Sequence, residues 1–277
     1  MPIRLVGIDL DGTLLNSRSE LSTANRQALA EATARGVQVV VVTGRRSHSA
    51  RKFVEAIPCP VTLISSNGAL VTSPSGEVLH RNFLPRGVAR RVLEFSRDFR
   101  PYTAAIYHQP GRGQVVLQRN AVPDGPLGWY LTNSPDCFEQ VNDLESALAA
   151  DPIQILFGGP PATIEPAEPL LRSSPIAAEI HLTWTKYLLR DISLLDVMNA
   201  GCTKGATLAL WAERCDITAS EVMAIGDNFN DLEMLQFAGL PVVMGNRTPG
   251  FGEAHWTLTL SNDQDGVAAA LRAHVLR

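Results

Sequence analysis

The stretch Val37-Gln-Val-Val-Val-Val42 constrains this chain more than any other. β-Branched side chains favour extended backbone, and a run that is apolar on both faces must be covered from both sides. A strand with one wet face would alternate apolar and polar residues instead. The valine run therefore predicts an inner strand of a parallel sheet with helices above and below. Its flanks agree. Before it, Ser22 stands where a helix N-cap belongs, Ala24, Ala28 and Ala32 recur at helical spacing, and Gly36 suits a C-cap. After it, Ser47 is placed to cap a second helix with Ala50, Phe53, Val54 and Ile57 on one stripe. Arg4 to Ile8 and Val61 to Ile64 read as neighbouring strands, and a hairpin is expected at Ala69–Thr72 and Val78–Arg81. Strand, helix, strand, helix, strand predicts parallel pairing through right-handed crossovers.

The last ninety or so residues resume this alternation. Helices are expected at Lys204–Arg214 and Asp231–Phe237, strands at Val222–Ile225, Pro241–Met244 and Trp256–Leu260, and a final helix carries Val267, Leu271 and Val275. Between the two stretches the texture changes. Pro and Gly become frequent, a helix is expected at Gly87–Phe99, and longer strands at Tyr102–His108 and Gln114–Arg119 suggest an antiparallel sheet with helices on one face. The expected fold class is thus α/β, a Rossmann-like parallel-sheet core (1–83 and 188–277) with an inserted α+β cap domain (84–187).

Composition narrows the function. In 277 residues, 24 basic side chains against 28 acidic ones leave a net charge of -4, which argues against a general nucleic-acid binder. The N-terminal MPIRLVGIDLDGTLL is too short and too acidic for a signal peptide, and no apolar run reaches the roughly 18 residues of a membrane span. Cys59, Cys137, Cys202 and Cys215 are widely spaced, which suggests neither a disulfide framework nor a zinc site. His48, His80, His108 and His181 show no metal-ligand spacing. A cytoplasmic protein with reduced thiols is expected.

Four short segments stand at strand ends or at a helix start, the edge where open parallel sheets bind ligands. In Asp9-Leu-Asp-Gly-Thr13, residues two apart can face the same side, so Asp9 and Asp11 require a metal or a proton nearby. Thr43-Gly44-Arg45 offers a hydroxyl, an accessible N–H and a guanidinium to an oxyanion. Thr203-Lys204-Gly205 puts a cation at a helix N-terminus, which suits phosphate better than it suits the helix. Gly226-Asp227-Asn228-Phe229-Asn230-Asp231 crowds the oxygen ligands that Mg²⁺ prefers. Each has a plainer reading alone: an acidic turn, an N-cap with a surface arginine, a surface lysine, an Asx turn opening a helix. Together they fit phosphoryl transfer to a carboxylate.

These segments, in this order, resemble the four motifs of the haloacid dehalogenase-like hydrolases. The large insert, Ser66-Asn-Gly-Ala69, and the tail pattern Met244-Gly-Asn246, Ser261-Asn262 and Asp265-Gly-Val267 resemble the Cof-type phosphatases among them. The resemblance implies a Mg²⁺-dependent phosphatase working through an aspartyl-phosphate on a small phosphorylated metabolite, such as a sugar phosphate or phosphorylated cofactor. It implies Asp9 as nucleophile and metal ligand, and Asp11 as general acid and base whose backbone carbonyl also meets the metal. Asp227 is then a direct metal ligand, supported by Asn228 or Asp231. Thr43, Gly44, Lys204 and Asn230 are implied to bind phosphate, with Lys204 also steadying Asp9. No motif position is missing. The insert would close over the substrate, with Trp129, Tyr130, Trp184 and Tyr187 as candidate pocket residues or as ordinary core, and Arg45 and Arg46 near the phosphate. Rival readings are a phosphotransferase or mutase, a receiver-like signalling module and a non-catalytic sugar-phosphate-binding regulator.

Overall fold

The structure, a computed structural model, describes residues 2–119, 128, 135–187 and 191–277. It divides into two compact units, Met1–Arg81 with Thr203–Arg277, and Asn82–Cys202. No helix among the described residues is long and apolar enough to cross a membrane.

The first unit is built on an eight-stranded sheet. Its strands are β1 (Leu5–Ile8), β2 (Gln38–Val42), β3 (Val61–Ser65), β4 (Leu70–Thr72), β5 (Val78–Arg81), β12 (Val222–Gly226), β13 (Leu240–Val243) and β14 (Thr257–Leu258). Their order is β14-β13-β12-β1-β2-β3-β4-β5. From β14 to β3 neighbours run parallel, and β4 and β5 close one edge as the expected hairpin. The valine run behaves as its composition predicts. Val39 and Val41 pack against Ala28, Leu29 and Ala32 of α1 (Thr23–Ala34), while Val40 and Val42 join Leu208 and Ala212 of α6 (Lys204–Arg214) on the other face. Two buried apolar layers sandwich the strand, so each face is removed from water.

Capping matches the sequence at α1, where Ser22 Oγ accepts a hydrogen bond from Asn25 N at 3.1 Å. It differs at α2 (Ser47–Val54). Ser47 is already helical there, and Arg46 takes the cap position without a side-chain bond. Near the C-terminus, residues 229–231 form a 3₁₀ turn before α7 (Leu232–Phe237), since Asn228 caps that turn by accepting from Phe229 N at 2.8 Å.

The second unit holds a six-stranded sheet of order β10-β11-β9-β6-β7-β8. These are β6 (Thr103–Ile106), β7 (Val115–Gln118), β8 (Phe138–Val141), β9 (Gln154–Gly159), β10 (Ile180–Tyr187) and β11 (Ile192–Asn199). Pairing is antiparallel except between β7 and β8. One face packs Ala105, Val116, Ile155, Phe157, Leu195 and Val197 against Val88, Ala89, Val92 and Leu93 of α3 (Arg86–Phe95) and Leu171 of a short helix, α5 (Ala167–Arg172), which follows α4 (Pro161–Ile164). The long helix expected to Phe99 ends at Phe95 and continues as a 3₁₀ segment containing Pro101.

The boundary of the insert needs correction. Sequence reading ended it at residue 187 and gave 188–277 to the core. The structure pairs β11 with β10 and β9 and assigns Asn82–Cys202 to the second unit. A buried strand such as Ile-Ser-Leu-Leu-Asp-Val-Met-Asn does not declare which sheet it joins. Trp129 and Tyr130 lie outside the described residues, as does the side chain of Tyr187. Trp184 packs against the second unit's core, and its indole N–H donates to Glu168 at 2.6 Å.

Candidate active site

Chain order places β1 in mid-sheet. β2 and β3 follow on one side, β12 and β13 on the other, so the direction of winding reverses between β1 and β12. Such a switch point leaves a crevice beyond the carboxyl ends of the strands. Asp9 stands one residue past β1, and its N–H still donates to Ile225 O at 2.9 Å. Asp227 stands one residue past β12, and Thr43 one past β2.

The loop after Asp9 folds over Asp227. Gly12 has φ +79°, and a Cβ there would come within 2.5 Å of Asp227 Oδ2. Only glycine combines that backbone with that approach. The turn brings Thr13 Oγ1 to donate to Asp227 Oδ1 at 2.8 Å.

Lys204 opens α6 behind Thr203, whose hydroxyl caps the helix by accepting from Ala206 N at 2.9 Å. Its side chain is 1% exposed. The ammonium donates to Asp9 Oδ1 at 2.6 Å and to Asp231 Oδ1 at 2.7 Å. Asp231 Oδ2 accepts from the backbone N–H groups of Asp227 and Asn228 at 2.9 and 3.1 Å. Both Asp231 oxygens are therefore engaged within the protein, whereas no hydrogen bond among the described residues occupies Asp9 Oδ2 or Asp227 Oδ2. Asp9, Asp227 and Asp231 each bring a carboxylate oxygen within 4.8 Å of the others.

Three buried carboxylates thus face one ammonium. Burial, then the charge of Asp231, pushes Asp9 well above the usual carboxylate range against the pull of Lys204. Burial and Asp231 likewise raise Asp227 to about 7, although the Thr13 hydroxyl opposes the shift. Burial would push Lys204 down, but Asp231 and Asp9 outweigh it and keep the ammonium charged. The excess negative charge and the two open oxygens fit a hard divalent cation between Asp9 and Asp227. Asp231 suits a supporting role.

A pH dependence follows. Asp227 releases its proton near 3.8 when unperturbed and near 7 in the fold. Between those values the folded chain holds more protons than the unfolded one, so this group removes stability from the metal-free protein as pH rises. A cation replaces the proton. The Tm increase caused by Mg²⁺ is expected to be larger at about pH 8 than at about pH 5. Equal increments at the two values contradict the assignment.

The remaining residues take up separate positions. Thr43 Oγ1 accepts from Arg45 N at 3.1 Å. Asp11 does not join the buried carboxylates. Its half-exposed side chain is clasped by Arg45, whose Nε donates at 2.6 Å and whose terminal nitrogen donates at 2.5 Å. The same guanidinium lies 4.6 Å from the centre of the Phe53 ring. Asn228 faces its own helix turn, and Asn230 Nδ2 donates to Asn67 Oδ1 at 3.1 Å.

Two features were not assigned from sequence. Asn67 is buried beside Gly44, where a Cβ would lie 2.9 Å from Asn67 Oδ1 and 3.5 Å from Asn230 Nδ2. Three asparagines also pin the loop after Asp11. Asn246 Nδ2 donates to Gly12 O at 2.8 Å and its Oδ1 accepts from Asn262 N at 2.8 Å. Asn262 Nδ2 donates to Leu15 O at 2.9 Å, and Asn25 Nδ2 to Leu14 O at 3.1 Å. Asn246 and Asn262 had stood out only as a family pattern.

The family model for haloacid dehalogenase-like hydrolases matches residues 6–271. Phosphatase YwpJ of Bacillus subtilis is 28% identical, with 99% of this chain and 100% of that protein covered. Pyridoxal phosphate phosphatase YbhA of Escherichia coli is 27% identical, with both chains fully covered. HMP-PP phosphatase of Cronobacter sakazakii is 30% identical over 89% of this chain and 85% of its own length. A haloacid dehalogenase-like hydrolase from B. subtilis superposes with a TM-score of 0.81 at 26% identity, covering 98% of this chain and 99% of that one. With four ordered motifs meeting at one sheet edge and a family match across nearly its whole length, the chain belongs to the Cof-type branch of the haloacid dehalogenase-like hydrolases.

Proposed function

We propose that this protein is a phosphoric monoester hydrolase that cleaves a small phosphorylated metabolite through an aspartyl-phosphate on Asp9. The observation that carries the reading is the clasp of Asp9 by Lys204, with the second oxygen of Asp9 left open beside Asp227. An attacking carboxylate needs one oxygen fixed and one free.

The Asp9 carboxylate attacks phosphorus, the P–O bond to the leaving group breaks, and Asp11, released from the Arg45 clasp, gives that oxygen a proton. Water then attacks the phosphorus of the acyl phosphate, Asp11 takes its proton, and the P–O bond to Asp9 breaks, releasing phosphate. Lys204 fixes Asp9 and balances negative charge that builds on the phosphoryl oxygens. Thr43, Gly44 and Asn230 hold those oxygens. Asp9, Asp227 and the backbone carbonyl of Asp11 would hold Mg²⁺, which supplies charge neutralisation at the phosphoryl group. The inserted unit serves as a cap that selects the organic part of the substrate.

Pyridoxal phosphate and HMP-PP phosphatases among the relatives support a small phosphorylated metabolite as substrate, such as a sugar phosphate or a phosphorylated cofactor. A phosphate-release screen over phosphorylated metabolites with Mg²⁺, run beside Asp9→Asn, tests this. Release without any acceptor supports hydrolysis. Transfer only to an added sugar points to a phosphotransferase, and tight binding without turnover to a regulator.

Asp11→Asn separates the two half-reactions from binding. It is expected to slow turnover by roughly 10²–10⁴-fold, with KM falling where the phosphoryl-enzyme accumulates. Unchanged kinetics remove Asp11 from proton transfer.

A further inference from the structure

The turn after β3 runs through three consecutive residues of positive φ: Ser66 at 51°, Asn67 at 51° and Gly68 at 105°. Glycine adopts this region freely, but the two residues before it incur about 1 kcal/mol or more each. Backbone strain of this kind persists only where surrounding contacts enforce it.

Those contacts lead to separate parts of the site. Ser66 N donates to Arg45 O at 2.9 Å and Asn67 N to Thr43 O at 3.1 Å, which fixes the turn against the Thr43-Gly44-Arg45 loop. Gly68 lies against the first turn of α6: a Cβ there would be 2.3 Å from Thr203 O, and Thr207 Oγ1 donates to Gly68 O at 2.8 Å. The turn is thereby held to the helix that carries Lys204. The Asn67 side chain is 1% exposed, and its Oδ1 accepts from Asn230 Nδ2 while lying over Gly44.

A carboxamide can present either its oxygen or its NH₂ to a neighbour. Because Asn67 offers an oxygen, Asn230 must turn its NH₂ toward it, which leaves the second N–H hydrogen of Asn230 for another acceptor. If Asn230 showed its carbonyl oxygen instead, it would repel a phosphoryl oxygen. We propose that Asn67 is a positioning residue of the phosphate cradle, setting the carboxamide of Asn230 in its donating orientation. This rests on the reading of Gly44 and Asn230 as phosphate contacts. The left-handed turn is the device that carries the Asn67 side chain into place.

The test is a double-mutant cycle with Asn67→Gly and Asn230→Ala, read with p-nitrophenyl phosphate as substrate, Mg²⁺ present, and inorganic phosphate as competitor. Asn67→Gly removes the side chain while relaxing the backbone, so Tm is expected to hold. The inhibition constant of phosphate and the KM are expected to rise roughly tenfold, the size of one lost hydrogen bond, in Asn67→Gly. The double variant is expected to be no worse than Asn230→Ala alone, because Asn67 acts through Asn230. Asn67→Asp keeps an acceptor oxygen and tolerates the left-handed backbone, but adds a negative charge beside Gly44. It is expected to weaken phosphate at least about tenfold. Phosphate inhibition within twofold of wild type in both Asn67 variants, or losses that multiply in the double variant, overturns the proposal. Failure of inorganic phosphate to compete in the wild type overturns the phosphate site itself, and with it the reading on which this inference rests.

Discussion

Asp9→Asn is expected to reduce phosphate release to background, a loss of roughly 10⁴-fold or more, as for other nucleophiles that act within a catalytic group. The same substitution is expected to leave the metal-free fold as stable as the wild type or more so. Asp9 belongs to a set of three buried carboxylates facing one ammonium, and burial and Asp231 already hold it well above its usual range. An amide removes that repulsion, while its oxygen can still accept from Lys204. The stabilising increment from Mg²⁺ should shrink in the variant because one ligand loses its charge. Activity assays and thermal melts with and without Mg²⁺ read all three effects. Full activity, with mass spectrometry showing that the introduced amide has not deamidated back to a carboxylate, takes Asp9 out of the chemistry.

Lys204→Ala is expected to act on stability with the opposite sign. Its ammonium is buried and paired with Asp9 and Asp231 at 2.6 and 2.7 Å. Removing it leaves those carboxylates facing each other without a cation and opens a cavity under α6. Loss of one partner from a buried ion pair costs about 3–5 kcal/mol, and denaturant unfolding should show a loss of that order. Mg²⁺ should restore part of it by standing in for the missing charge, but not the turnover, which is expected to fall by about 10²–10³-fold as a charge-stabilising group is lost. Lys204→Arg is not expected to rescue, because a guanidinium is too broad for a side chain that is 1% exposed. Wild-type stability in Lys204→Ala contradicts the charge balance drawn for this site.

Much of the fold was written locally. The valine run declared a strand covered on both faces, and Val39, Val41 and Val40, Val42 do divide between two helical layers. The convergence of Asp9, Lys204 and Asp227 was legible because strand ends of a parallel sheet share one edge, so order along the chain becomes proximity in space. What sequence could not supply was decided by partners far away in the chain. β11 reads as a strand in either unit, and only its pairing with β9 and β10 assigns it. Asp11 looked like a second member of a carboxylate pair, yet its side chain leaves the cluster for Arg45. Asp231 looked like an optional metal ligand, yet both its oxygens are taken by Lys204 and by the backbone of its own turn. Asn67 stands out in sequence only within the family pattern Ser66-Asn-Gly-Ala69, with no role attached, since an Asn before a Gly is an ordinary turn pair. Its meaning appears only when Gly44 and Asn230 are seen to meet it.

The most direct test of the account is chemical trapping of the phosphoryl-enzyme. Asp11→Asn, given p-nitrophenyl phosphate and Mg²⁺ and quenched during turnover, should carry an acyl phosphate. Borohydride reduces an acyl phosphate to an alcohol, so peptide mass spectrometry should find homoserine in place of Asp9. Reduction at another carboxylate, or phosphate release with no reducible intermediate at any time of quenching, contradicts attack by Asp9.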